Sequence, residues 1–356
     1  MSVLSPQWVL GRVALLASCL LVLLPFASAQ IIQGHVYYYT DTATVNTDIS
    51  GNDVVTGKAP GGLFGNAAGD TDITTPYTLT VASTGKITGD GTTGYDWLDA
   101  YNNTSIALNG ASVSGVVAHN NTTVTVSKGF VRALTAYDYA TLTLGGTVVT
   151  AIGYNHSTIN EVTSGVGSAY AYDTATVNVY LSGLVGYTYG YNSGTVNFSS
   201  GTATDAIGYD TSTTNLWGGT VENALPNDSS QLNLTGGTVS QFIVAHDSST
   251  TNVSAGSATF MMAYNTSSFN VSGGTVSDLE SYDTSVSTIS GRTVSFVLGD
   301  NNSLTNITGG SIKDIWGLGS STFNLVVWLP AAGPPTFTPF YGIDLRQVGR
   351  EGGRVS

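Results

Sequence analysis

Charge is scarce in this chain: Asp, Glu, Lys and Arg together make up 9% of its 356 residues. Only 10 residues are Lys or Arg against 23 Asp or Glu, for a formal net charge of −13. Such a chain offers no basic surface to a phosphate backbone or an anionic bilayer, which excludes nucleic acid as a partner. Cysteine is almost missing. The single Cys19 lies in the leader described below, so stability has to come from packing and backbone pairing instead of disulfides. Helical periodicity is also missing, which excludes leucine-rich and helical repeats. No apolar run after Phe26 is long enough to span a membrane as a helix. The motifs His-Glu-x-x-His, Gly-x-Ser-x-Gly and a phosphate-loop Lys-Ser/Thr are absent as well, so metalloprotease, hydrolase-elbow and nucleotide chemistry have no foothold.

What the chain has in quantity is Gly, 44 residues of it, with Ser, Thr and Asn, and with Val, Leu, Ile, Tyr and Phe at regular positions. Regular β-branched and aromatic residues between Gly-rich turns predict many short strands. The first residues read as a secretory signal peptide: Arg12, an apolar core from Val13 to Phe26, and Ala27-Ser28-Ala29 as the cleavage site before Gln30. Leu16-Ala17-Ser18-Cys19 resembles a lipobox, but the apolar stretch before that cysteine is short for a lipoprotein leader. Four regions follow from these patterns: a signal peptide over 1–29, an N-terminal β cap region with a degenerate rung over 30–95, a repeat array over 96–327, and a Pro/Gly-rich C-terminal cap and tail over 328–356. The degenerate rung is suggested by Tyr39-Thr-Asp-Thr-Ala-Thr-Val45-Asn46, which echoes Tyr172 to Asn178.

The array repeats about every eighteen residues. Its anchors are Tyr101, His119, Tyr137, Tyr154, Tyr172, Tyr191, Tyr209, Asn227, His246, Tyr264, Tyr282, Asp300 and Leu318. Five and seven residues after the anchor the side chains are usually apolar, as at Ile106 and Leu108, Leu142 and Leu144, or Phe269 and Val271. A spacing of two puts both on one face of a strand. A Gly-Gly pair then ends that strand, as at Gly218-Gly219 and Gly273-Gly274, where glycine permits a turn with positive φ. A second strand leads to the next anchor. The predicted fold is therefore all-β, a single-stranded β-solenoid with about eighteen residues per rung. Rungs stacked at ~4.8 Å give a rod on the order of 55–60 Å long. The apolar positions do not recur at strict intervals of six, so a right-handed coil is the preferred expectation.

Immediately after every anchor but Leu318 stands an acid or an amide: Asn102, Asn120, Asp138, Asn155, Asp173, Asn192, Asp210, Asp228, Asp247, Asn265, Asp283 and Asn301. Consecutive carboxylates such as Asp210, Asp228 and Asp247 would lie one rung apart, near the ~5 Å of a retaining glycosidase pair. Free exchange of Asn for Asp within the column argues instead for a structural corner ladder, with a side-chain oxygen bonding the turn backbone and stacked amides pairing along the rod. A calcium-binding β-roll would need the nonapeptide Gly-Gly-x-Gly-x-Asp, which does not occur, so no cofactor is expected, with one calcium ion on the scattered acids Asp70, Asp72, Asp90, Asp96 and Asp99 as the alternative. His119 and His246 are seven rungs apart and cannot share a metal. The Tyr anchors pack on one another along the stack. As an alternative, Tyr137, Tyr154, Tyr172, Tyr191 and Tyr209 form a ladder able to bind carbohydrate. Sequons at Asn120, Asn233, Asn252, Asn270 and Asn306 arise from composition in so Asn- and Ser-rich a chain.

The phrases Ala136-Tyr-Asp-x-Ala-Thr-Leu-Thr-Leu-Gly-Gly-Thr147 and Ala263-Tyr-Asn-Thr-Ser-Ser-Phe-Asn-Val-Ser-Gly-Gly-Thr275 resemble the repeats of bacterial exported β-solenoid proteins. These include autotransporter-adhesin passenger domains and PEP-CTERM-type surface proteins. The resemblance covers the array and departs from both groups in the tail, which shows neither a translocator barrel nor a Pro-Glu-Pro sorting signal. It implies an exported, non-enzymatic structural or adhesive protein of the surface or matrix, extracellular, at the cell surface or periplasmic. Extracellular polysaccharide or a second copy of the chain is the expected partner. A carbohydrate-binding module on the Tyr ladder is the second expectation, and a polysaccharide lyase or hydrolase the third.

Overall fold

The computed structural model describes residues 104–326, apart from 163–164, 181–182 and 292, together with short strands outside that range. The signal peptide and most of the N-terminal cap region and C-terminal tail lie outside the described residues. Within them the protein is all-β, with parallel strands stacked as a β-solenoid of about 12 turns roughly 18 residues apart.

One rung shows how the sequence dictates the coil. After the corner at Tyr264, strand Ser268–Val271 alternates so that Phe269 and Val271 point inward and Ser268 and Asn270 outward. The turn at Ser272-Gly273-Gly274 leads into strand Thr275–Ser281, which buries Val276, Leu279 and Ser281. Two successive residues, Ser277 and Asp278, stay out of the core, so the alternation breaks and the strand bends after Val276. Pairing with the next rung follows suit: Val276 faces Val294 and Asp278 faces Phe296. A four-residue strand and a bent seven-residue strand thus wrap three inward-facing segments around one core, and the pattern recurs in rung after rung.

Every described rung hands its backbone hydrogen bonds to its neighbours. Tyr264 N–H donates to Ala245 at 2.9 Å, Thr266 to Asp247 at 2.9 Å and Ser268 to Ser249 at 2.9 Å. The core is a set of columns that are mostly apolar, for example Leu108, Val126 and Leu144, with Glu161 the next member before Val179 and Phe198. Each fully buried aliphatic or aromatic residue contributes about 1.5–3 kcal/mol by leaving water. The pairing extends beyond the regular array. Strand Thr42–Val45, in the segment read as a degenerate rung, pairs with Tyr77–Val81, which in turn pairs with Thr104–Ala118. At the other end Arg354–Val355 pairs with Thr322 and Phe323.

The Gly-Gly turns divide their labour in a way the sequence does not announce. In Gly273-Gly274 only the second glycine has a positive φ, +76°. A Cβ on Gly273 would instead run into the carbonyl oxygen of Ser254 one rung away. Close backbone approach is therefore as much the reason for these glycines as turn conformation.

Candidate binding face along the aromatic ladder

The residue after each anchor owes its identity to the backbone. From Asn120 to Asn301 all eleven described corner residues have φ between +54° and +58°. That left-handed conformation costs most side chains roughly 1–2 kcal/mol, and Asn and Asp are the non-glycine residues that visit it routinely. After Leu318 the same place is taken by Gly319 at φ +57°. Asn102 lies outside the described residues.

Side chains then knit the corners together. Asp138 Oδ2 accepts from Asn120 N–H at 3.1 Å, and its Oδ1 accepts from Asn155 Nδ2 at 3.3 Å. Asp173 likewise takes Asn155 N–H at 3.2 Å and Asn192 Nδ2 at 3.1 Å. Acid and amide alternate because each carboxylate is an acceptor only and each amide can donate. The run Asp210, Asp228, Asp247 interrupts that alternation.

A true amide ladder exists, but elsewhere. It lies six residues after the anchor, on the outward face of the four-residue strand. Asn178 Nδ2 donates to Asn160 at 2.9 Å, Asn197 to Asn178 at 2.9 Å, and the series continues through Asn215, Asn233, Asn252 and Asn270. Three of the sequon asparagines, Asn233, Asn252 and Asn270, are therefore ladder members. The signal was present as a recurring Thr-x-Asn between the two apolar positions, and the corner column drew attention away from it.

The anchors stack as expected. His119, Tyr137, Tyr154, Tyr172, Tyr191 and Tyr209 form one run with ring centroids 4.7–5.0 Å apart and interplanar angles of 6–13°. His246, Tyr264 and Tyr282 form a second, at 5.1 and 5.0 Å. Rings so stacked cover each other's faces and present edges and hydroxyls outward. Burial, reinforced by neighbouring phenols, raises the pKa of Tyr154, Tyr172 and Tyr191 above the usual tyrosine value. Tyr282 is raised too, first by burial and then by its 2.6 Å hydrogen bond to Glu280.

Sequence reasoning missed that the ladder is one edge of a wider face. Tyr170 and Tyr189, two residues before their anchors, stack at 4.7 Å and sit 6.2 and 6.3 Å from Tyr172 and Tyr191. Tyr187 adds a further column, 6.4 Å from Tyr189, and is 43% exposed. Further along the same outward column Phe242 and Phe260 stack at 5.5 Å, and Phe296 meets Trp316 edge-on. The phrases Tyr170-Ala-Tyr172 and Tyr187-Thr-Tyr-Gly-Tyr191 carried the signal, since a spacing of two puts all five rings on one side of the strand. The result is a patch of five rings, about 6 Å apart along the strand and 5 Å apart between rungs, on a parallel sheet.

Among the described residues no group of three or more His, Cys, Asp or Glu is arranged to hold a metal ion, and no helix is long and apolar enough to cross a membrane. No protein-family profile matches the chain, and neither does any curated protein or solved structure.

Proposed function

We propose that this protein is an exported, non-enzymatic rod that adheres to extracellular polysaccharide through the outward face of its seven-residue strands. The observation that carries this reading is the two-dimensional ring array of Tyr170, Tyr172, Tyr187, Tyr189 and Tyr191, with Phe242 and Phe260 farther along the column of Tyr187 beyond the polar pair Asp205 and Asn223. Aromatic residues joined to hydroxyl groups suit the mixed C–H and O–H surface of sugar chains. Half-exposed rings in a regular array form the kind of extended apolar patch that marks an interaction surface. A rigid sheet holds them without an ordering cost at binding. Most corner carboxylate oxygens, by contrast, are occupied with backbone and amide donors, Oδ2 of Asp247 being an exception, which supports a structural role for that column.

The test is retention on insoluble polysaccharides of a variant carrying Tyr170→Thr, Tyr187→Thr and Tyr189→Thr. Threonine keeps strand propensity, so the variant should fold, by circular dichroism, and lose at least about tenfold in affinity, roughly 1.4 kcal/mol. Unchanged retention would remove this face from consideration.

A further inference from the structure

The two aromatic runs belong to one column and are separated by a single rung, that of Asn227. Its amide folds back to the backbone, donating to Leu225 at 2.9 Å and to Gly208 at 3.3 Å. An amide held against the strand leaves open the space farther out, where the rungs on either side hold a ring. Ring steps of 4.7–5.1 Å along the column set Tyr209 and His246 about two strand spacings apart, ~10 Å. One ring fits between them at stacking distance from both.

The corner ladder fails at the same place. At Asn120, Asn155, Asn192, Asp210 and Asn265 the corner N–H donates to Oδ2 of the Asp one rung on. Among the described corners followed by an Asp, only Asp228 makes no such bond, which leaves Oδ2 of Asp247 uncommitted. The cause is visible in the strand before His246, which has eight residues, Thr238–Ala245, with the pairing shifted between Val221 and Asn223. Elsewhere on the rod a corner carboxylate lies beside the ring of the preceding rung: Tyr154 feels Asp173, and Tyr191 feels Asp210. The same offset sets Asp247 beside the missing ring. Leu225, two residues before Asn227 on the same outward face, supplies an apolar wall.

We propose that this gap is a subsite for one pyranose ring bearing an ammonium group, an amino-sugar unit seated between Tyr209 and His246 with its amine towards Asp228 and Asp247. The C–H faces of a pyranose match the two rings, and hydroxyl and ammonium donors match Asp228, which takes a backbone N–H but no Asn amide, and Oδ2 of Asp247, whose Oδ1 alone is taken by Asn265 Nδ2. A sugar acid would meet those carboxylates and the net charge of −13 unfavourably. The inference deepens the adhesive reading by naming the sugar class at one rung.

The experiment is calorimetry on the full chain at neutral pH with a glucosamine pentamer, its N-acetylated counterpart, a glucose pentamer and free glucosamine. The glucosamine pentamer should bind with one site per chain, about tenfold tighter than the two uncharged pentamers. Binding by free glucosamine as well would identify a single sugar as sufficient, and binding by the pentamer alone a chain unit. Either result supports the subsite, and no binding by either overturns it. Asn227→Tyr completes the ladder, so it should keep or raise thermal stability while abolishing binding. Asp247→Asn should erase the preference for the amine and leave uncharged sugars unaffected. Wild-type affinity in Asn227→Tyr would overturn the proposal. That variant leaves Tyr170, Tyr187 and Tyr189 in place, so retention on polysaccharide through the wider face can fail or survive independently.

Discussion

Glu161 is the one ionisable side chain in the described core, standing in a column of Leu144, Val179 and Phe198. Both of its carboxylate oxygens lack a hydrogen-bond partner, and burial pushes its pKa up to about 8. The unfolded chain releases that proton near 4.5, whereas the folded chain holds it until about 8. Stability should therefore be highest below pH 4.5 and fall as pH rises to about 8, by at most ~1.4 kcal/mol per pH unit from this group. Denaturant unfolding across that range checks the slope. Glu161→Leu should flatten it and raise the melting temperature at pH 8, because an aliphatic side chain restores the column. A corner residue gives a second test at this scale. Asp283→Asn preserves the left-handed conformation at φ +55° and should cost little, whereas Asp283→Ala should cost about 1–2 kcal/mol. Equal losses would mean that the carboxylate, and not the backbone, sets the column. The exchange of Asn and Asp was legible in the sequence because it repeats. Its main cause was not, since a left-handed φ leaves the same Asn/Asp signature as a side chain bonding its own turn.

At the scale of the strand, stacking identical elements turns single side chains into columns, and a column is only as continuous as its members. The amide ladder from Asn160 to Asn270 is uninterrupted in the described residues. Replacing a central member leaves an unpaired donor on one side and an unpaired acceptor on the other. Asn215→Ala should thus destabilise by about 1–2 kcal/mol, more than the same change at Asn160, which ends the ladder and makes only the bond to Asn178. Equal effects at both sites would show that the amides act singly. Strand positions five and seven after the anchor were readable from alternation, and Ile106, Leu108, Val124 and Val126 are all fully buried. The bend inside the seven-residue strand was not readable. Two successive outward residues look like noise in one repeat, and their placement follows from closing a coil around a common core. The outer aromatic columns escaped notice for a related reason: they lie two and four residues before the anchor, and only parallel pairing of neighbouring rungs brings them together.

Over the described rungs, a repeat that spends its backbone donors and acceptors between neighbours makes a stiff rod, and in the reading we propose its sides carry the adhesion. The surface is sparsely charged but net acidic, −13 for the chain, so in the reading we propose it disfavours anionic partners and leaves recognition of the others to contact area and rings held in register. The period, the strand content and the anchor column followed from composition and spacing. The functional asymmetry of the rod did not, because it depends on which columns point outward and on one rung, at Asn227, where two regularities lapse together. In the function we propose, the rod holds polysaccharide without breaking it. The most direct test is to incubate the purified protein with a panel of polysaccharides and score retention and newly formed chain ends in the same samples. Retention without new chain ends is the predicted result, and release of new ends, or no retention on any member of the panel, would contradict it.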